Sequence, residues 1–214
     1  MGYSAGFTPH PKISYVGAAP TGVASEAEYL EIGLAETRDP EEVRRALDAA
    51  LPPGLDVVAV VEAVGVGLPD RIEASRWRIE LPDVLPDEAA MGVAGLLALE
   101  TAPVERLMKD GRRTIDARAA IVAMAVGASE HDQNGESRPC ATIDMVVRHH
   151  TPAVRPDDVL TALRQASALS TPVTPMVTRL AQGLLGETPP APGELPELTD
   201  PLVPDAIATG LPPA

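Results

Sequence analysis

The sequence predicts an α+β fold, with a ferredoxin-like βαββαβ core, a further strand–helix unit and a disordered C-terminal tail. Three observations predict it. Apolar residues recur at period two in some stretches and at helical spacing in others. From Ala27 these stretches follow one another as strand, helix, strand, strand, helix, strand. A Pro-rich, acid-rich end shows neither period.

"AEYLEIGLAE" (Ala27 to Glu36) sets Leu30, Ile32 and Leu34 against Tyr29 and Glu31, the alternation of a half-buried strand. Asp39-Pro40 then opens a helix, with Asp39 as N-cap, proline in the first turn, and Glu41-Glu42 at the positive end of the helix dipole. Val43, Ala46, Leu47 and Ala50 keep helical spacing until Pro52-Pro53-Gly54 stops it. "LDVVAVVEAV" (Leu55 to Val64) is β-branched and apolar, as a central strand is. "SRWRIELP" (Ser75 to Pro82) alternates as the next strand, and Pro86-Asp87-Glu88 begins a helix running to about Leu99. "VERLMK" and "RRTIDAR" flank Asp110-Gly111, a two-residue hairpin signal. "GASEHDQNGESRP" (Gly127 to Pro139) is polar and reads as a long surface loop. "TIDMVVRHH" (Thr142 to His150) forms a further strand, followed by a helix from Pro156.

One echo runs through this order. "PEEVRRAL" (Pro40 to Leu47) and "PDDVLTAL" (Pro156 to Leu163) share Pro-acid-acid-Val-x-x-Ala-Leu, each after a strand. The pair reads either as a repeated unit or as two well-capped helices. Residues 1–185 form one domain on this reading, and 186–214 the tail, whose 29 residues hold eight prolines, five acids and no Lys or Arg.

Composition bounds the function. The 214 residues are 45% apolar but only 2% aromatic, so alanine, valine and leucine must fill the core. No apolar run is long enough to cross a membrane as a helix, and no secretory pattern opens the chain, which makes the cytoplasm the expected compartment. Seventeen basic and 31 acidic residues give a net charge of −14; without the tail's five acids it is −9. Such a body repels phosphate backbones at long range, so any nucleic-acid site must be a local patch. The single cysteine, Cys140, excludes an internal disulfide and a Cys-rich metal centre. His149 and His150 are adjacent, so a strand points them to opposite faces and no shared metal site follows. "GVGLPD" (Gly65 to Asp70) lacks the third glycine of a dinucleotide loop and is a turn. No metal or cofactor of its own is expected for this chain.

Two stretches carry candidate binding chemistry. Tyr3, Phe7, Tyr15 and Tyr29, four of the five aromatics, fall in the first 29 positions. Among them "GFTPHPKIS" places Gly6, Pro9, His10, Pro11 and Lys12, with His10 held extended before a proline. This loop presents an imidazole and a cation to an anion, with rings to stack a base; equally, its rings plug a sheet end while its prolines stiffen a connection. Arg106, Lys109, Arg112, Arg113 and Arg118 form the second candidate, with a net charge of +3 against Asp110 and Asp116. A turn at Asp110-Gly111 pairs Lys109 with Arg112 and Met108 with Arg113, leaving Arg106, Met108 and Arg113 on one face. Protection of a sheet edge by charge is the plainer reading of this patch, and a bound anion the other.

"YSAGFTPHPKISYVGAAPTGVASEAEYLEIGL" (Tyr3 to Leu34) resembles the signature of the radical SAM-linked protein family, a domain of unknown function. The resemblance rests on Gly6, Phe7, Pro9, His10 and Pro11, then Pro20, Gly22, Val23, Ser25, Glu26, Ala27, Glu28 and Tyr29. "LPPGLDVV" (Leu51 to Val58) and "VTRLAQG" (Val177 to Gly183) also look like family segments, which extends the likeness to about Gly183. It implies an accessory, substrate-presenting role beside a radical SAM protein. RNA, or a ribonuclease E/G-type protein, is a further implied partner, from gene neighbourhoods. His10 and Lys12 would contact an anion, Phe7 and Tyr3 would stack or pack, and Glu26 and Glu28 would hold the loop or face the partner. An RNA-modifying enzyme using His10 and Glu26 as acid and base is the alternative, and a purely structural interaction module the third reading. The family pattern has a strand and a helix ahead of the Gly-Phe-x-Pro-His-Pro segment, so Met1 is either a misassigned start or the start of a shortened protein. No C-x-x-x-C-x-x-C cluster occurs, so the radical SAM cluster would belong to the partner.

Overall fold

The computed structural model describes residues 2–3, 11–109, 111–133, 136–167, 169–188, 190–191 and 193–209. It is a mixed α+β fold in which a central sheet is flanked by helices. The central strands are β4 (Ala74–Pro82), β7 (Ile121–Gln133), β8 (Glu136–Arg148), β9 (Met176–Leu185) and the short β10 (Leu198–Thr199). They lie side by side as β10-β9-β4-β8-β7, every neighbour antiparallel. β2 (Ala24–Ser25) runs parallel along the outer edge of β9, before β10 takes over that edge. Apart from this sheet, β1 (Ile13–Val16) pairs with β3 (Tyr29–Ile32), and β5 (Pro103–Met108) with β6 (Gly111–Asp116).

Helices α2 (Pro86–Leu97) and α4 (Pro156–Ser167) close one face of the sheet. α2 contributes Ala89, Val93 and Leu96, and α4 contributes Val159, Leu160, Ala162 and Leu163, to a core shared with Trp77, Ile79, Leu81, Ile143 and Met145. The two helices approach closely at Gly92, where a Cβ would stand 3.0 Å from the Ser167 hydroxyl. Each start is fixed locally. Glu88 accepts from the Leu85 N–H at 3.2 Å, and Asp158 from the Arg155 N–H at 2.7 Å.

α1 (Pro40–Ala50) is capped as its sequence implies, with Asp39 accepting from Glu41 N–H at 2.9 Å. Yet none of its residues is buried. The strand expected over Leu55–Val64 does not form: the segment is held by side chains, Asp48 accepting from Val57 N–H and Asp205 from Val64 N–H. β-branched composition suits a strand only where a neighbouring strand pairs with it, and β3 pairs with β1 alone. The strand–helix alternation expected from Ala27 is therefore not one sheet. The order strand, helix, strand, strand, helix, strand occurs later, as β4, α2, β7, β8, α4 and β9, with the β5–β6 hairpin and the short α3 (Ala117–Ala120) inserted after α2.

Two expectations of irregular chain are corrected. The described residues of Gly127–Pro139 are not a loop; β7 and β8 remain paired out to Gln133 opposite Glu136 and project as a ribbon. Gly127 permits this, because a Cβ there would sit 2.7 Å from the Thr142 hydroxyl. The tail is ordered across 198–209. β10 adds to β9, and α5 (Val203–Thr209) docks through Asp205, whose carboxylate meets Arg71 at 2.6 Å with both side chains at most 5% exposed. Arg71 further donates to the Pro201 and Val64 carbonyls. A single buried ion pair has no period for a sequence pattern to reveal.

Candidate functional site

The segment carrying the family-like signature is fastened to the sheet by one arginine. Arg179 lies on β9 directly across from Trp77 on β4, at the point where a bulge shifts the register. As cross-strand partners the two side chains share a sheet face, and the guanidinium lies over the indole, 5.2 Å from the ring centroid. Only 3% of the side chain is exposed. Nε donates to the Ser25 hydroxyl at 3.2 Å, one Nη to the Gly17 carbonyl, and the other to the Glu28 carboxylate. The backbone repeats this attachment, since Glu26 N–H donates to the Arg179 carbonyl at 2.8 Å beside the β2–β9 pairing.

A second layer of polar contacts extends from this clamp. Gln182 donates to the Ala27 carbonyl at 2.7 Å, and its side-chain oxygen lies 3.4 Å from the Ser75 hydroxyl. Ser75 in turn stands 2.7 Å from His149 Nε2. Desolvation of the ring holds the His149 pKa below its ordinary value, a hydrogen bond with the Ile72 backbone opposes this, and the Arg179 charge adds to the lowering. A hydroxyl beside a neutral imidazole is the arrangement of a nucleophile and its base, but Ser75 is 1% exposed and closed to a substrate. Its chemistry here is to join β4 to the end of β8.

Tyr29 ties the same segment to the tail by donating to Asp200 at 3.0 Å. Burial first, and the Asp200 charge second, push its hydroxyl pKa up. On the sheet face opposite α2 and α4, Asp144 receives a two-pronged bond from Arg78 at 2.7 and 2.8 Å and a third from Arg76 at 3.1 Å. Burial opposes ionisation of Asp144, but the two guanidiniums outweigh it and hold the carboxyl below its usual range. The exposed Glu26 adds its charge near Arg78.

The candidate residues are thus distributed unevenly. Ser25, Glu26 and Glu28 gather on Arg179, while Tyr29 stands beside them on Asp200. Tyr3 bridges to Pro11 and, with Ile13 and Tyr15, remains exposed on the β1–β3 hairpin. Lys12 packs across Gly33, where a Cβ would come within 2.9 Å of it. Gly6, Phe7, Pro9 and His10 lie outside the described residues. The basic patch does not converge. Arg106 is spent on Asp158 and the Ala153 carbonyl, Arg118 on the Leu97 and Ile121 carbonyls, and Arg112 on Glu105. The hairpin register also differs from expectation: Met108 pairs with Gly111 and Leu107 with Arg112, and Arg106 faces Arg113. Among the described residues no three His, Cys, Asp or Glu side chains could hold a metal, and no helix is long and apolar enough to cross a membrane.

Arg179, Trp77, Gln182 and His149 received no role in the sequence reading. One signal was available: Arg179 and Gln182 interrupt the otherwise apolar strand "VTRLAQG", and a polar residue inside a strand needs a buried partner.

Sheet and clamp together define a domain that carries an anchored N-terminal layer on a central α+β core. Residues 1–156 match the family described as an uncharacterized protein conserved in bacteria, DUF2344, and the chain belongs to that family, which occurs near or fused to radical SAM genes. No curated protein and no solved structure matches the chain.

Proposed function

We propose that this chain is a non-catalytic accessory domain that presents a substrate to a radical SAM enzyme, and that the substrate is RNA. One observation carries the reading. Tyr3 and the β1–β3 residues Ile13, Tyr15 and Leu30 stay in solvent, with Tyr15 68% exposed, while the segment between the two strands is anchored by the buried Arg179. A surface that is fixed in place but left uncovered suits a presenting role. Tyrosine rings stack bases irrespective of sequence, worth about 1–3 kcal/mol per base. Residues 1–185 constitute this domain on our reading, with 186–214 as a tail that returns to it as a strap through 198–209, and we take the antiparallel order β9-β4-β8-β7 as the ferredoxin-like core. Cytoplasmic residence follows from the proposed partner.

The test is fluorescence anisotropy of the purified chain with single-stranded RNA, together with co-purification alongside a radical SAM enzyme from the same cells. Tyr3→Ala with Tyr15→Ala should weaken RNA binding at least tenfold and leave the enzyme bound. Undiminished RNA binding by that variant would remove RNA from the proposal. Failure of the enzyme to co-purify would remove the accessory role.

A further inference from the structure

We propose that the free edge of β7 is a homodimer interface, in which two copies pair β7 antiparallel about a two-fold axis at Val126. The two edges of the central sheet are treated very differently. On the β9 side, β2 and β10 cover the backbone. On the β7 side the sheet simply stops among the described residues. An uncovered edge is normally blunted by charge, proline or a bulge. From Ile121 to Ser129 this strand carries no charged residue and no proline, in a chain with net charge −14. Its one bulge lies between Ile121 and Ala123, beside α3, and leaves Ala123–Ser129 in regular register with β8.

Those seven residues complement themselves. With Val126 on the axis, Ser129 of one copy lies opposite Ala123 of the other, Ala128 opposite Met124, and Gly127 opposite Ala125, so no two large side chains collide. Partners share parity, so the helix-side residues Met124 and Val126 stay on the helix side and Ala123 and Ala125 stay on the other face. Met124 is already a core residue and Val126 packs against the core, so the helical layer continues across the seam. The first charge, Glu130, falls opposite Val122, which puts the acids of the two copies at opposite ends of the paired segment. An isologous contact of this kind closes on itself and gives a discrete dimer instead of a fibre.

Sedimentation velocity over a concentration series tests it. The wild-type chain should reach twice its monomer mass, and Ala128→Lys with Ser129→Lys, both at exposed positions, should stay monomeric with an unchanged circular dichroism spectrum. The control pair Ala49→Lys with Ala50→Lys, exposed on α1, should dimerise like wild type. Val126→Cys, made with Cys140→Ala to remove the one native thiol, should form a disulfide-linked dimer on oxidation. Should the double-lysine edge variant fold poorly, this cross-link decides. A wild-type monomer at every concentration, a dimer that survives the edge lysines, equal loss in the control, or a dimer without the Val126→Cys link would each overturn the proposal.

Discussion

α1 and α4 have nearly the same first eight residues and opposite fates. Both begin with proline and two acids, and both repeat Val-x-x-Ala-Leu. α4 buries six residues, including Val159, Leu160 and Leu163, between the sheet and α2; α1 buries none. The difference lies in what stands opposite. α4 has α2 and four paired strands beneath it, whereas α1 bonds to the segment Leu55–Val64, where Arg44 donates to the Val57 carbonyl and Asp48 accepts from Val57 N–H, and that segment pairs with no strand among the described residues. A helix's pattern declares a face to bury; only the rest of the molecule provides the burial.

The comparison can be broken hardest at the strap. Arg71→Ala should cost about 3–5 kcal/mol in urea unfolding, because it leaves the Asp205 carboxylate buried without its cation. Leu163→Ala in α4 comes next, at about 2–5 kcal/mol for emptying a fully buried site. The corresponding change in the N-terminal layer, Leu47→Ala, should cost under about 1 kcal/mol, since that side chain is only half-buried. Equal losses at the two leucines would mean that the layer is packed as tightly as the core. Arg179→Ala should fall between them, on the order of 2 kcal/mol, because Glu28 is partly exposed and regains water. It should also open Gly17–Glu26 to limited proteolysis while β4 and β8 stay protected; protection throughout would show that the layer does not depend on the clamp. The smallest effect concerns His149. Its pKa is lowered on folding, so the unfolded chain binds the proton more readily, and stability should fall as the pH drops below the ordinary histidine value of 6.5. His149→Gln should flatten that part of the urea midpoint-versus-pH curve; an unchanged slope would assign it to another group.

What the sequence disclosed follows the reach of each signal. α1, α2, α4 and the β5–β6 hairpin are set by caps, prolines and turns within a few residues, and these were readable. β4 and β8 were readable from alternation. The frame of the sheet was not, because alternation says that a strand has two faces but does not name its neighbours. The ribbon at Gly127–Pro139 was missed because polar residues that project beyond a core still pair through their backbones. In the site, Ser25, Glu26, Glu28 and Tyr29 were singled out, yet Arg179, which gathers the first three, sits more than 150 positions away; its place inside a strand marks it as needing a buried partner but does not say which.

The bond between Arg71 and Asp205 also imposes an order in time. Synthesis delivers Arg71 and the four central strands β4, β7, β8 and β9 before Asp205, so these strands can assemble while the guanidinium still lacks its counter-charge. A translation product cut short ahead of Val203 would keep its central strands but leave Arg71 without its carboxylate partner, and should open there first. α5 thus works as a latch: until it docks, the charge that the sheet has already enclosed at Arg71 has no carboxylate to meet it.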